Sequence, residues 1–257
     1  MELTLSLDIL SFLFVVAVLA GFIDSIAGGG GLIAVPAMLS VGMSPVQALS
    51  TNKLQGVGGT LSASYYFVRR GAVDLKEMRL LILMTFIGSA LGTILVQMID
   101  ASVLKQVIPF LLIGIVLYFI FSPSVGDQDR QQKITLSLFA FTAAVGIGFY
   151  DGFFCPGTGS FFAAAFMGLL GFSITKATAH SKILNCTSNM SSLLFFILGG
   201  QVVWVAGLVM MLGQIIGGRL GARVVLSSGK KLIRPMIITV SLVMTAKVLW
   251  DNVGQWI

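Results

Sequence analysis

Apolar runs long enough to cross a bilayer follow one another along the chain, with few charged positions inside any of them. A membrane span needs about 18 or more such residues, whereas a surface helix of a soluble domain sets a charged face against its apolar one. The pattern predicts helices over roughly 6–27, 45–68, 76–99, 102–121, 134–154, 174–199, 202–224 and 230–252. Shorter apolar pieces at 32–42 and 160–171 follow the first and the fifth. At 1.5 Å per residue these reach only ~16–18 Å, short of a ~30 Å hydrocarbon core, so they read as half-helices that begin after a break. The expected fold is an all-α polytopic membrane protein with about eight transmembrane helices plus two half-helices.

The breaks expose an internal repeat. GFIDSIAGGGG (21–31) is similar to GFYDGFFCPGTGS (148–160), and ALSTNKLQ (48–55) lines up with ATAHSKIL (177–184), which superposes Lys53 on Lys182. GSALG (88–92) has its counterpart in GQIIGGRLG (213–221). The polar stretch SPSVGDQDRQQK divides the chain into a first transmembrane repeat (1–121), a linker (122–133) and a second transmembrane repeat (134–257).

Composition agrees: 56% of residues are hydrophobic and 10% charged, with a mean hydropathy of +0.99, against about 25% charged in soluble domains. The formal charge of +6 is explained by topology rather than by nucleic acid. Arg69, Arg70, Lys76 and Arg79 form one basic segment; Arg219, Arg223, Lys230, Lys231 and Arg234 form another. The positive-inside rule places both in the cytoplasm, although the first follows the second helix of its half and the second the third. Equivalent loops then face opposite sides, so the repeats are expected to be inverted, with both termini outside and the linker inside. Glu2 and Asp8 occupy the place of a basic signal-peptide region, which argues that the first helix is retained. Cys155 and Cys186 fall in apolar segments, which argues against a disulfide framework. The chain carries no metal-ligand cluster, P-loop or serine–histidine–acid arrangement, so no cofactor, no metal, no catalytic residue and no enzymatic activity are expected.

The ionisable residues well inside the spans are Asp24, Lys53, Asp151, His180 and Lys182. Each charge there costs at least ~2.5–3.5 kcal/mol on insertion scales. On one reading they are ion pairs that hold the broken helices in place. On the other, they serve a site. The half-helices are expected to begin after Gly28, Gly29, Gly30 and Gly31, and after the PGTGS run that holds Gly157, Thr158, Gly159 and Ser160. A helix start preceded by glycine is an anion site, because its unpaired N–H groups and its dipole both point at the ligand. Lys53 and Lys182 would supply charge.

Thr178, Ser181, Lys182, Asn185, Ser188, Asn189 and Ser192 make a polar stripe at helical spacing, and Asn52, Lys53, Gly56, Gly59, Thr60 and Ser64 a smaller equivalent. A solvated path is favoured over interhelical glue. Asp24 and Asp151 lie in the last turn before each break, where the dipole disfavours a carboxylate. They are expected to be protonated, paired with lysine or bound to a cation, and coupling to a proton or sodium ion is open. For His180 a hydrogen-bonded structural role is favoured over a proton relay. The GxxxG spacings at 88–92, 213–217 and 217–221 predict close helix packing, and Arg219 is a weaker site candidate.

GFIDSIAGGGGLIAVPAMLSVGMSPVQALSTNK, GFYDGFFCPGTGSFF and TKATAHSKILN together resemble the sulfite exporter TauE/SafE family of bacterial membrane transporters, over nearly the whole chain. The resemblance implies an inner-membrane permease for a small sulfur-containing or organic anion such as sulfite, sulfoacetate or another sulfonate. By that likeness Asp24, Gly28 to Gly31, Asn52, Lys53, Pro156, Gly157, Gly159, Ser160, His180, Ser181, Lys182 and Asn185 fall on motif positions. Cys155 departs from it, standing where glycine is usual before PGTG. The expected function is a secondary transporter whose anion binds at the repeat interface, between two broken-helix N-termini and two lysines; the alternative is a passive anion channel. The expected partners are the anion, the lipid bilayer and a coupling ion, with no nucleic acid; the oligomeric state is left open.

Overall fold

The structure, a computed structural model, describes residues 5–100, 103 and 129–228. Helices α1 (Leu7–Ala27), α2 (Gly31–Ser40), α3 (Pro45–Arg69) and α4 (Arg79–Gln97) form the first part. Helices α5 (Leu136–Phe153), α6 (Thr158–Leu169), α7 (Ile174–Leu198) and α8 (Trp204–Ser228) form the second. Each lies within a few residues of its sequence-predicted range. The helices expected at 102–121 and 230–252, most of the 122–133 linker, Lys230, Lys231, Arg234, Lys247 and the chain termini lie outside the described residues.

The helix starts follow local chemistry. Ser44 and Gln47 form a reciprocal capping box with Pro45 in the first turn of α3, and the Thr135 hydroxyl caps α5 by accepting from Leu138 N at 3.2 Å. Such caps satisfy amides that have no partner within the helix. Helix α5 contains a π-helical stretch, Ala140–Ala144, that the apolar pattern did not predict.

Helices α1, α4, α5 and α8 are long and apolar enough to cross a membrane. Helices α3 and α7 are longer than most spans, at 25 residues each, but carry the polar stripes and lie between the others. The burial pattern is that of a membrane bundle: Asn52, Lys53, Gln55, Lys182 and Ser188 are buried, whereas Phe12, Leu19, Leu83, Leu91 and Leu212 are exposed. Lipid accepts apolar surface, so polar side chains must find partners inside.

The expected close packing is present. A Cβ on Gly213 would stand 2.7 Å from the Phe14 carbonyl oxygen, and Gly88 and Gly92 meet the carbonyls of Val145 and Phe149. These contacts also fix direction. Residues 14, 18 and 22 of α1 face 213, 217 and 221 of α8, so the two helices are parallel. Thr51 of α3 accepts from Val203 N, just before α8, and Ser62 of α3 donates to Ile215 O within it, so these two helices are again parallel. Between α3 and α7 the order reverses: Ser64 donates to the Lys182 carbonyl at 3.0 Å, while Gly56 faces Asn189. The sequence of long helix, break, short helix and polar helix therefore occurs twice, and the two polar helices run antiparallel. The guanidinium groups of Arg70 and Arg219 stack on the same Tyr66 ring, at 5.5 and 5.1 Å from its centroid. Arg70 and Arg219, one from each basic segment, thus meet at one end of the bundle.

Candidate functional site

Both breaks turn through a left-handed residue. Helix α1 ends at Gly28 (φ 73°), whose N–H donates to the Asp24 carbonyl at 2.7 Å. After α5 the chain passes through Cys155 (φ 84°) and Gly157 (φ 84°). Aligning Asp24 with Asp151 sets Gly28 against Cys155, so the same turn is made without a Cβ in one repeat and with one in the other. Gly30, by contrast, is helical (φ −57°, ψ −38°). Its lack of a side chain serves packing, since a Cβ there would fall 2.7 Å from Ala20 O and from Asp24 Cβ.

The breaks cross each other. A Cβ on Gly159 would lie 2.7 Å from Gly28 Cα, and the Ser160 hydroxyl donates to the Ala27 carbonyl at the end of α1. The four intramembrane charges pair across this crossing. Lys53 Nζ lies 2.9 Å from Asp151 Oδ2 and donates to the Asp151 carbonyl, and Lys182 Nζ lies 2.9 Å from Asp24 Oδ2. Each lysine thus bonds the aspartate of the opposite half. The carboxylates also reach forward over their own breaks: Gly30 N donates to Asp24 Oδ1 at 3.3 Å, and the Thr158 hydroxyl lies 2.6 Å from Asp151 Oδ1. The unfavourable dipole behind each carboxylate is thereby opposed by the helix start in front of it.

A cavity lies at the crossing. Asp24, Gly28, Gly30, Gly31, Gly157, Thr158 and Cys155 line it from the breaks, with Asn52, Gly56 and Thr60 from α3, Asn185 and Asn189 from α7, and Gln214 from α8. Residues 52, 56 and 60, like 185 and 189, are four apart and so share one helix face. The volume open to the centre of a water-sized sphere is about 20 Å³, room for roughly one water. Asn52 Nδ2 lies 2.8 Å from Cys155 Sγ, and Asn189 Nδ2 donates to Asn185 Oδ1 at 3.3 Å. Buried Asn189 Oδ1 has no hydrogen-bond partner.

The structure thus brings many of the sequence-predicted site residues to one cavity and distributes the others around it. Lys53, Lys182 and Asp151 stand behind the wall as ion pairs. Gly159 and Ser160 hold the crossing, and Gly29 is buried beside it. The Ser181 hydroxyl is turned to the Thr178 carbonyl at 2.9 Å. His180 stands apart: its Nδ1 is 2.8 Å from the Lys176 carbonyl and its ring meets Phe166 and Phe172 edge-on. Gly56, Thr60 and Asn189 belonged to the polar stripes but were not singled out for the site. Gln214 was missed; the signal was a lone amide in an apolar helix, received by Gly21 and Gly59, where a Cβ would collide with it.

Comparison with known proteins agrees with this architecture. Residues 13–248 match the family described as sulfite exporter TauE/SafE. The chain is 56% identical over 247 residues to the "Probable membrane transporter protein YfcA" of Escherichia coli (strain K12), covering 96% of this chain and 92% of that one. It is 51% identical over 248 residues to a "Probable membrane transporter protein" of Haemophilus influenzae, covering 96% and 97%. YunE of Bacillus subtilis, also named a probable membrane transporter protein, is 24% identical over 237 residues, 82% of this chain and 87% of its own. No solved structure gives a significant match. With two broken helices, buried charge pairs and a family match across nearly its whole length, the chain belongs to the sulfite exporter TauE/SafE family and is an integral, multi-pass membrane transporter.

Proposed function

We propose that this protein is a secondary transporter of a small anion, of the sulfite, sulfoacetate or sulfonate kind, in the bacterial inner membrane. The observation that carries the reading is the cavity at the crossing of the two breaks, where two half-helix starts face each other. Gly30, Gly31, Gly157 and Thr158 would present donors to the anion, Asn52 and Asn185 would add amide N–H groups, and Lys182 and Lys53 would supply positive charge from behind. The meeting of Arg70 and Arg219 at Tyr66 supports a cytoplasmic location for that end, by the positive-inside rule. The 122–133 linker would then also be cytoplasmic and both termini outside. The name of the family supports a sulfur oxyanion as cargo.

A carrier is favoured over a channel because the cavity, with about 20 Å³ open to the centre of a water-sized sphere, has room for roughly one water, so binding a sulfur oxyanion requires movement. Reconstitution into liposomes tests this. Sulfite, sulfoacetate and methanesulfonate, with acetate as comparison, should accumulate against their own gradients when a proton or sodium gradient is imposed. Flux that only dissipates gradients would mean a channel, and no flux of any of them would overturn the anion reading.

A further inference from the structure

The two aspartate–lysine pairs look equivalent, yet their surroundings differ. Asp151 and Lys53 are sealed, with side-chain exposures of 0% and 1%. Asp24 lines the cavity and its side chain is 14% exposed, while Lys182 behind it is at 1%. The Asp24 carboxylate takes an ammonium through Oδ2 and the Gly30 amide at the start of α2 through Oδ1. Those are the two kinds of partner an incoming anion would need. Beside them, Asn189 Oδ1 borders the same cavity, buried and without a partner. It is an acceptor with no donor in this arrangement.

We infer that Asp24 is a tethered stand-in for the transported anion, and that anion binding displaces its carboxylate from Lys182 and Gly30 with uptake of one proton. The inference rests on the anion reading above and specifies its coupling. The balance is simple. Before binding, the Lys182 ammonium is neutralised by the Asp24 carboxylate. Afterwards the ammonium is neutralised by the anion, and the carboxylate has become a carboxylic acid with a proton from the aqueous phase. Proton and monovalent anion enter the site together without net charge. The new carboxylic O–H is a donor within a cavity that holds a free amide oxygen.

The remaining charged groups around Asp24 leave it this role. Helices α2 and α6 carry no titratable side chain. Helix α3 contributes Lys53, held by Asp151 of α5, and the break between α5 and α6 contributes the Cys155 thiol. Helix α7 contributes Lys182 itself, and α8 directs Arg219 to Tyr66. Asp151 is not a second such group, because its carboxylate faces Lys53 and Thr158 rather than the cavity.

The test is a proton count on the wild-type protein in detergent, weakly buffered at pH 7 with an indicator dye. Methanesulfonate serves as the probe, since it is monovalent and has no group that exchanges a proton near that pH. Binding is expected to remove about one proton per anion from solution. Asp24→Asn should abolish the uptake, bind at least tenfold tighter, and gain more thermal stability from methanesulfonate than the wild type does. Asp151→Asn, where it folds, should keep the uptake. Wild-type binding with no proton taken up overturns the inference while leaving the anion reading intact, and needs no variant. No binding of methanesulfonate, together with no flux of any tested anion in liposomes, overturns both.

Discussion

The backbones of Gly28 and Gly159, one from each break, touch where the two halves of the transporter cross, so closely that a Cβ on Gly159 would sit 2.7 Å from Gly28 Cα. Neither position can hold a side chain without parting the breaks, and Gly28 additionally needs φ 73°. Gly28→Ala and Gly159→Ala are expected to lower the melting temperature in detergent, with an overpacking cost of about 1–3 kcal/mol. Gly168→Ala, where a Cβ meets nothing within 4 Å, should not. Equal effects at all three would remove the crossing as the cause.

Lys53 and Asp151 are buried as a pair, and removing one partner of such a pair costs about 3–5 kcal/mol, because the other charge is left without compensation. Lys53→Gln should therefore reduce stability and folded yield as well as transport. The double replacement Lys53→Met with Asp151→Leu should recover much of the stability. Thermal unfolding of the wild type, Lys53→Met, Asp151→Leu and the double variant in one detergent checks the cycle.

Cys155 holds φ 84° with a side chain, a conformation that costs a non-glycine residue about 1–2 kcal/mol. Cys155→Gly is expected to stabilise the protein by up to about 1 kcal/mol after losing the Asn52 contact, and to widen the cavity. Cys155→Val should destabilise, since a β-branched residue tolerates this region worse. Flux selectivity for larger sulfonates should broaden in the glycine variant.

Asp74 follows α3 and Gly200 precedes α8, and both are exposed. Ser50 and Thr51, near the start of α3, bond to residues 201 and 203, so these loops lie at opposite ends of a helix of about 37 Å. Single cysteines at the two positions, with Cys155 and Cys186 replaced, should label from opposite sides of the membrane, residue 74 from the cytoplasm. Labelling from one side only would contradict this packing.

At the end of the linker, the Ser173 N–H donates to Asp129 at 2.6 Å, and Lys176 lies 3.5 Å away. The Ser173 amide first, and Lys176 after it, hold the Asp129 carboxyl below its usual value of 3.8. A lowered folded-state value means the contribution is present above about pH 3.8 and is lost as the pH falls through the folded value. The pair is half exposed, so the effect should stay under about 1 kcal/mol. Asp129→Asn should flatten this small acid-side loss in a melting series from pH 6 to pH 3.

The sequence by itself determined the described helices, the two breaks and the polar stripes. Each is a local property: an apolar run must be helical in lipid, glycine and proline end it, and helical spacing sets which side chains share a face. The basic loops give an expectation of sidedness through their composition alone, while the antiparallel course of α3 and α7 is seen only in their contacts. Tertiary structure decided the rest. Lys53 and Lys182 could have served as free counter-charges, but their partners are 98 and 158 positions away in sequence, and no local pattern states such a distance. The same holds for Gln214, which reaches the cavity only because Gly21 and Gly59 leave space for it, and for Gly30, whose small size answers α1 rather than a ligand. His180 fell on a motif but turned to Phe166 and Phe172, because a residue's direction follows from which helices surround it. The difference between Asp24 and Asp151 arises in the same way: similar motifs supply both carboxylates, and packing opens only one of them to the cavity.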